Sequence, residues 1–308
     1  MLYSKKTDYL MESIRLGREM DRREKLNLIV GLSIPSMLAQ ISTVMMFFID
    51  ASMVGHLGAV ASASIGLIES TTWLIGSLLS AAATGFSVQV AHFIGANDFA
   101  NARQVFRHAL ICGVAFSVFV SLLCVGIHAY LPYWLGGGAD IATNSSRYFL
   151  IYGLVLPFVF LYHISEMMLK SAGNMHTPSV MAVLICICDV IFNYLFIYIL
   201  KLGVVGAALG TAMAYVCISL PNLYLAGFKN KILNLRQDHV RFRWVRSYVH
   251  NACKISIPIA IQNILMSGAQ IVSTMIVAPL GNIAIAAHSF AITAESLCYM
   301  PGYGIGDA

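Results

Sequence analysis

Residues 33–61 read SIPSMLAQISTVMMFFIDASMVGHLGAVA, and residues 256–284 read SIPIAIQNILMSGAQIVSTMIVAPLGNIA. Each stretch opens on Ser-Ile-Pro, continues through an apolar run and reaches a Leu-Gly pair 22 residues after the proline. The two stretches lie 223 residues apart, so the chain contains an internal repeat. Because each copy begins with a run long enough to cross a bilayer, the repeat predicts two related halves in a membrane.

The composition excludes a water-soluble fold. Hydrophobic residues make up 58% of the 308 residues and charged residues only 11%, whereas soluble domains carry about 25% charged residues. Apolar runs of roughly 20 residues predict membrane-spanning helices. Transmembrane β-strands do not fit, since they are shorter and alternate strictly. The predicted spans lie near 27–49, 61–90, 105–131, 148–169, 177–200, 204–227, 254–278 and 283–308.

The repeat divides these spans into two lobes. We predict an all-α integral membrane protein, a polytopic helical bundle with an N-terminal six-helix lobe and the first two helices of a second, repeated lobe. Residues 1–26 are predicted to form a cytoplasmic amphipathic N-terminus and 27–228 the first lobe. Residues 229–253 would be a basic cytoplasmic linker, and 254–308 an incomplete second lobe. Two repeated bundles can rock about a central site, which favours a secondary transporter.

The basic residues indicate an orientation rather than a polyanionic partner. Of the 19 Lys and Arg, 17 fall before the first span or in alternate connections on that side, and only Arg147 and Lys201 fall on the other. By the positive-inside rule, the N-terminus and the 229–253 linker face the cytoplasm. This asymmetry accounts for the net charge of +5 without nucleic acid. We expect a multi-pass protein of the cell (inner) membrane.

Catalytic and metal-binding motifs are absent from the sequence. It contains no G-x-S-x-G, no P-loop and no H-E-x-x-H. Its seven cysteines lie in or at the ends of apolar runs, which is typical of small buried side chains rather than of disulfides or metal ligands. We therefore expect no enzyme activity, no catalytic residue, no metal site and no cofactor.

Three polar residues within the spans are candidates for binding a coupling cation. A carboxylate in hydrocarbon is costly, so it needs a partner, a water-filled cavity or a function. Asp50 ends the first span and is replaced by Ser273 in the repeat; the alternative is an acid among the outer headgroups. Asp189 and Asn193 share one helical face, where their oxygens can bind Na⁺ or hold a proton. The alternative is a hydrogen bond that only packs the bundle.

Other polar side chains are candidates for a substrate cavity. These are Gln40, Tyr194, Tyr198, Gln262 and Glu295. The two tyrosines lie four residues apart and so share a helical face. Glu69 and Glu295 come early in the second and eighth spans, where each either lines a cavity or reaches the membrane interface, and the interface is favoured for Glu69. Glu166 has Lys170 four residues on, which favours an intrahelical ion pair.

Four segments in the same order resemble the multidrug and toxic compound extrusion (MATE) family, and the resemblance covers nearly the whole chain from about residue 25. The segments are Ile34 to Gly58, Gly85 to Ala96, Asp189 to Thr211 and Ala278 to His288.

The resemblance implies twelve helices in two lobes and export of organic cations or amphipathic compounds in exchange for H⁺ or Na⁺. Asp50 matches the first-helix aspartate to which the family's cation coupling is attributed, and Asp189 and Asn193 match a polar pair on the fifth helix, here in a variant order. Some members carry a glutamate in the seventh helix, which 262–270 lacks. The resemblance further implies small-molecule substrates, contact with the lipid bilayer and a monomer. Helices 9–12 would be missing, so we expect a C-terminally truncated fragment, inactive alone.

The sequence leaves three alternatives open. A lipid-linked oligosaccharide flippase of the same superfamily should carry several basic residues in its cavity, and none lies deep in a span here. A membrane-embedded enzyme would need a nucleophile, a metal or an acid–base cluster. A non-transporting structural or regulatory fragment fits the short second lobe.

Overall fold

The computed structural model describes residues 9–10, 18, 21–236 and 242–307. Within these residues, eight helices are long and apolar enough to cross a membrane. They are α1 Arg22–Gly55, α2 Ala59–Gly95, α3 Phe99–Ile127, α4 Ala139–Ser171, α5 His176–Asn193, α6 Gly203–Tyr224, α7 Arg246–Val277 and α8 Asn282–Asp307. Short π-helical segments extend α5 (Tyr194–Ile199) and α6 (Leu225–Lys229). Most of the predicted N-terminal segment 1–26 lies outside the described residues.

Each predicted span corresponds to one helix, which confirms the all-α polytopic fold. Several helices start earlier than the apolar runs indicate: α4 begins at Ala139 rather than 148, and α7 at Arg246 rather than 254. Polar first turns explain the difference, because a helix can continue past its apolar run wherever its end groups reach water or a cap. At α3, for example, the Asp98 carboxylate accepts the backbone N–H of Asn101 at 3.2 Å.

Successive helices run antiparallel, so the bundle has two ends. We call the end that holds Arg22, Gly95 and Arg246 the linker end, and the end that holds Gly55 and Asn282 the far end. The helices of the second lobe pack on the first two of the first lobe: α7 lies along α2, and α8 along α1. α1 also packs on α5, and α2 on α4, while α1 and α2 barely contact each other. Their separation leaves room for a cavity between them.

Hydrogen bonds fix α7 against α2 along its length. Near the far end the hydroxyls of Ser70 and Thr274 lie 3.1 Å apart, and in the middle Asn263 donates to the carbonyl of Ser77 at 3.1 Å. Near the linker end the Gln89 amide donates to the carbonyl of Tyr248 at 3.1 Å. Polar side chains that bond across helices are a common means of joining helices in membranes, where lipid competes with apolar packing.

The connection between the lobes is tied to the start of α3. The Arg103 guanidinium donates to the carbonyl of Ile232 at 3.0 Å, and Arg107 donates to Leu235 at 2.8 Å. α7 begins inside the predicted linker 229–253, and residues 237–241 lie outside the described part of the chain.

His108 fastens the second part of this connection. Its ring is fully buried, and its Nε2 accepts the backbone N–H of Val245 at 2.9 Å. Because Nε2 is an acceptor, Nδ1 carries the proton and donates to the carbonyl of Gln104 at 2.7 Å. Three aromatic rings surround the imidazole, those of Phe242, Trp244 and Tyr248. The start of α7 is therefore held on the first lobe.

Candidate functional site

A cavity of about 410 Å³ lies between α1 and α2, with further walls from α4, α5, α6 and α8. Polar side chains line it from near the far end to near the linker end. They include Gln40, Thr43, Asp50, Ser62, Glu69, Thr72, Ser77, Tyr148, Tyr152, His163, Glu166, Lys170, Thr211 and Ser289. Its size falls within the range of pockets that hold small organic molecules.

Asp50 lines one wall of this cavity, and Asn193 and Asp189 are buried directly behind it. The Asn193 amide nitrogen donates to Asp50 Oδ1 at 2.6 Å and to Asp189 Oδ2 at 2.9 Å. The sequence predicted the pair on α5, and the structure brings Asp50 of α1 to it across 143 positions of the chain. One carboxamide therefore bridges two carboxylates from different helices.

The helices around Asn193 hold its amide in this position. A Cβ built at Gly210 of α6 would overlap the Asn193 side chain, so the glycine leaves the space that Asn193 occupies. Gly206, about one turn earlier on α6, allows a similarly close approach, because a Cβ there would lie 2.8 Å from the carbonyl oxygen of Phe196. Directly after Asn193, α5 changes to a π-helix, a feature found frequently at functional sites.

Charge is poorly compensated at this wall. Asp189 and Asn193 are fully buried, and their Oδ1 atoms accept no hydrogen bond from the described residues. Among those residues, no Lys or Arg forms an ion pair with either acid. A buried carboxylate is normally paired or bound to a cation. Two acids joined by one neutral amide therefore form a site suited to a proton or a small cation.

Glu69 lies on the opposite wall, and its position corrects the prediction of a membrane-interface acid. Its carboxylate lines the cavity and accepts hydrogen bonds from two hydroxyls of α8, those of Ser289 and Thr293. The contact spans 220 positions of the chain, so α2's own periodicity could not reveal it. Glu69 thus connects the two lobes.

At the linker end of the cavity, Glu166 and Lys170 form the predicted ion pair of α4. Lys170 Nζ lies 2.9 Å from Glu166 Oε1, and both side chains line the cavity. The two charges compensate each other there.

The predicted substrate-cavity residues separate into two groups. Gln40 lines the cavity, whereas Tyr194, Tyr198, Gln262 and Glu295 do not. Tyr194 is 57% exposed, and the Tyr198 hydroxyl donates to the carbonyl of Met53 at 3.1 Å. The tyrosines follow Asn193 by one residue and by five, and a single helical step turns a side chain by about 100° away from the cavity face. Gln262 and Glu295 are exposed on α7 and α8.

Sequence reasoning missed several aromatic residues of the cavity. Tyr148 and Tyr152 of α4 lie one turn apart on its wall, and the Tyr152 hydroxyl donates to the carbonyl of Thr72 at 3.0 Å. Phe47 and Trp73 face each other across α1 and α2 with ring centroids 4.9 Å apart. The four-residue spacing of the tyrosines was a usable signal, but the Phe47–Trp73 pair depends on contact between helices.

Within the described residues, eight membrane-length helices, a repeated lobe and a cavity between the helices define a polytopic membrane protein. The family model described as MatE matches residues 35–195 and 258–308, well over half of the chain. The chain therefore belongs to the MatE family of multidrug efflux transporters, whose members are transporters and not enzymes.

Curated relatives agree with this assignment. The chain is 24% identical over 91% of its length to "Probable multidrug resistance protein NorM" of Thermotoga maritima, and 25% identical over 83% to "Multidrug export protein MepA" of Staphylococcus saprophyticus. It spans 61% of the first relative and 56% of the second.

Solved structures share the fold. A multidrug resistance MATE family transporter of the MOP superfamily in an outward-facing conformation superposes with a TM-score of 0.81 at 23% identity. An inward-facing conformation superposes with a TM-score of 0.77 at 22% identity. The superpositions cover 91% and 87% of this chain and 62% and 63% of the respective structures.

Proposed function

We propose that this chain takes part in the export of small cationic or amphipathic compounds across the cell (inner) membrane, in exchange for H⁺ or Na⁺. The bridge of Asp50, Asn193 and Asp189 is the observation that supports the proposal most directly. It offers a coupling cation two carboxylates, and one of their oxygens, Asp189 Oδ1, is buried and accepts no hydrogen bond from the described residues. The relatives' printed names, which refer to multidrug resistance and export, support the substrate class.

The placement of this bridge supports alternating access. Asp50 lies on α1, which packs on both α5 of the first lobe and α8 of the second. A cation that neutralises the bridge lowers the cost of burying it, and so favours the arrangement in which the cavity wall is closed around it. Coupling requires that the cation and the exported compound stabilise different arrangements or compete for one. Pro35, inside α1, gives that helix a point at which to bend.

The orientation and assembly belong to the same proposal. Arg103 and Arg107 lie at the linker end, and most other basic residues lie at that end by their position in the chain. This supports a cytoplasmic linker end, with the far end outside. The 308 residues would act as part of one monomeric transporter surrounded by lipid.

A flippase for anionic lipid-linked sugars is less well supported. Among the described residues that line the cavity, Lys170 is the one lysine or arginine, and it is paired with Glu166. An anionic headgroup would need uncompensated positive charge there.

Asp50→Asn tests the proposal. The purified chain in lipid nanodiscs is titrated with radioactive Na⁺, and its proton exchange is followed in weak buffer. We expect the wild-type chain to bind one of the two cations and the variant to lose that binding, because an amide cannot neutralise a cation. Asp140→Asn is the matched control, since Asp140 is exposed at the far end and outside the cavity.

Equal cation binding by D50N and the wild type would show that Asp50 does not bind the coupling cation. The second arm measures ethidium efflux from vesicles under an imposed pH or Na⁺ gradient. Efflux driven by one gradient and lost in D50N identifies the coupling ion. Cation binding without efflux from the 308-residue chain would instead favour the non-transporting reading for this chain alone.

A further inference from the structure

The coupling scheme uses one wall of the cavity and leaves Glu69 on the other without a role. Its side chain is half-buried and lines the cavity. Among the described residues, no Lys or Arg forms an ion pair with it, in contrast to Glu166 of the same cavity. A negative charge in this position is costly within the membrane unless a positive group compensates it.

Two aromatic side chains lie near this carboxylate, and the indole N–H of Trp73 is close enough to donate to it. Trp73 follows Glu69 by one helical turn, and Phe47 of α1 packs against the Trp73 ring with centroids 4.9 Å apart. Both side chains line the cavity together with Glu69. A carboxylate beside aromatic faces is a common means of binding organic cations, because ring faces attract positive charge and the acid neutralises it.

Two hydroxyls of α8 hold the Glu69 carboxylate. Ser289 Oγ donates to one carboxylate oxygen. Thr293 Oγ1 lies 3.4 Å from the other and shares its single proton between that oxygen and the carbonyl of Ser289, at 3.1 Å. Neutral donors solvate a carboxylate but leave its charge in place. A positive group that enters the cavity would therefore compete with these hydroxyls for the same oxygens.

We propose that Glu69, with Trp73 and Phe47, binds the positively charged group of the exported compound, and that this binding displaces the hydroxyls of Ser289 and Thr293. The inference rests on the proposed transport function and assigns substrate and coupling cation to different carboxylates on opposite walls. Because both hydroxyls belong to α8, substrate binding would loosen the contact between α2 and the second lobe. The substrate would thus act on the lobe contact directly, without competing for Asp50.

The test compares two dyes bound to the 308-residue chain in nanodiscs of uncharged lipid. Ethidium is a permanent organic cation, and Nile red is neutral. We expect Glu69→Gln to weaken ethidium binding about tenfold, the effect of losing one ion pair of roughly 1.4 kcal/mol, and to leave Nile red binding unchanged. Glu295→Gln is the matched control, because Glu295 is exposed and outside the cavity. Equal ethidium affinity in E69Q and the wild type overturns the assignment.

A second variant is expected to change ethidium affinity in the opposite direction. The double substitution Ser289→Ala and Thr293→Val removes the competing donors, so we expect ethidium to bind several-fold more tightly. Weaker binding in this variant would show that the hydroxyls support the site rather than compete for it, which overturns the displacement step.

Cation binding at Asp50 is the check that each variant is folded, and it separates the two hypotheses. Only this inference is overturned if cation binding requires Asp50 but ethidium binds E69Q and the wild type equally well. If the wild-type chain binds neither the cation nor ethidium, the proposed function itself is overturned.

Discussion

Asn193 keeps its place because residue 210 has no side chain, and this gives a prediction at the scale of one residue. Gly210→Ala would put a methyl group where the Asn193 amide lies. The amide must move, which breaks its bridge between Asp50 and Asp189. We expect a loss of about 1–3 kcal/mol in stability, typical of overpacking, and weaker cation binding. Thermal unfolding and Na⁺ titration measure the two effects.

Gly126→Ala is the control for that substitution. Gly126 lies within α3, and no atom lies within 4 Å of a Cβ built there. Alanine in an open helical position is neutral or slightly stabilising, by at most about 1 kcal/mol. Similar losses in both variants would mean that the effect comes from the helix backbone and not from Asn193.

The sequence predicts those helices and side-chain pairs whose signal lies in neighbouring residues: a continuous apolar run for a helix, and a four-residue spacing for a pair on one helical face. Runs of about 20 apolar residues are enough to identify eight helices, because the bilayer sets their length. The four-residue spacing likewise identified Asp189 with Asn193 and Glu166 with Lys170. The contact of Glu69 with α8 and the ring pair of Phe47 with Trp73 join separate helices, so no local pattern contains them. Tyr194 and Tyr198 were predicted to line the cavity because they share a helical face, but they do not line it. The neighbouring helices that a face packs against decide which side chains reach the cavity.

At the scale of a helix, His108 gives a prediction about the start of α7, which it holds against the first lobe. His108→Ala removes the acceptor for the Val245 N–H and the ring on which three aromatics pack. We expect a cost of about 2–4 kcal/mol and a start of α7 that detaches more often. Trypsin cleaves at lysine and arginine, which this connection contains, so cleavage between Lys229 and Arg246 should accelerate.

His128→Ala is the matched control for the linker. The ring of His128 also bonds a nearby carbonyl, that of Val125 at 2.6 Å, but it lies at the opposite end of α3. Its removal should leave cleavage of the linker unchanged. An unchanged cleavage rate in H108A would contradict the view that His108 holds the start of α7.

At the scale of the whole molecule, cation binding by the acid pair, as proposed, predicts that folding depends on the coupling cation. A cation that binds only the folded bundle raises its stability by about 2.7 kcal/mol at one hundred times its Kd. We therefore expect the unfolding temperature of the chain to rise with Na⁺ or with falling pH, and choline at equal ionic strength to separate binding from screening. Asp189→Asn removes one poorly compensated buried charge, so its unfolding temperature without the cation should be higher than that of the wild type and its dependence on the cation smaller. The same dependence in both proteins would mean that the cation acts elsewhere in the bundle. If Asp189→Asn unfolds at a higher temperature without the cation and no longer responds to the cation, the acid pair lowers stability and serves cation binding.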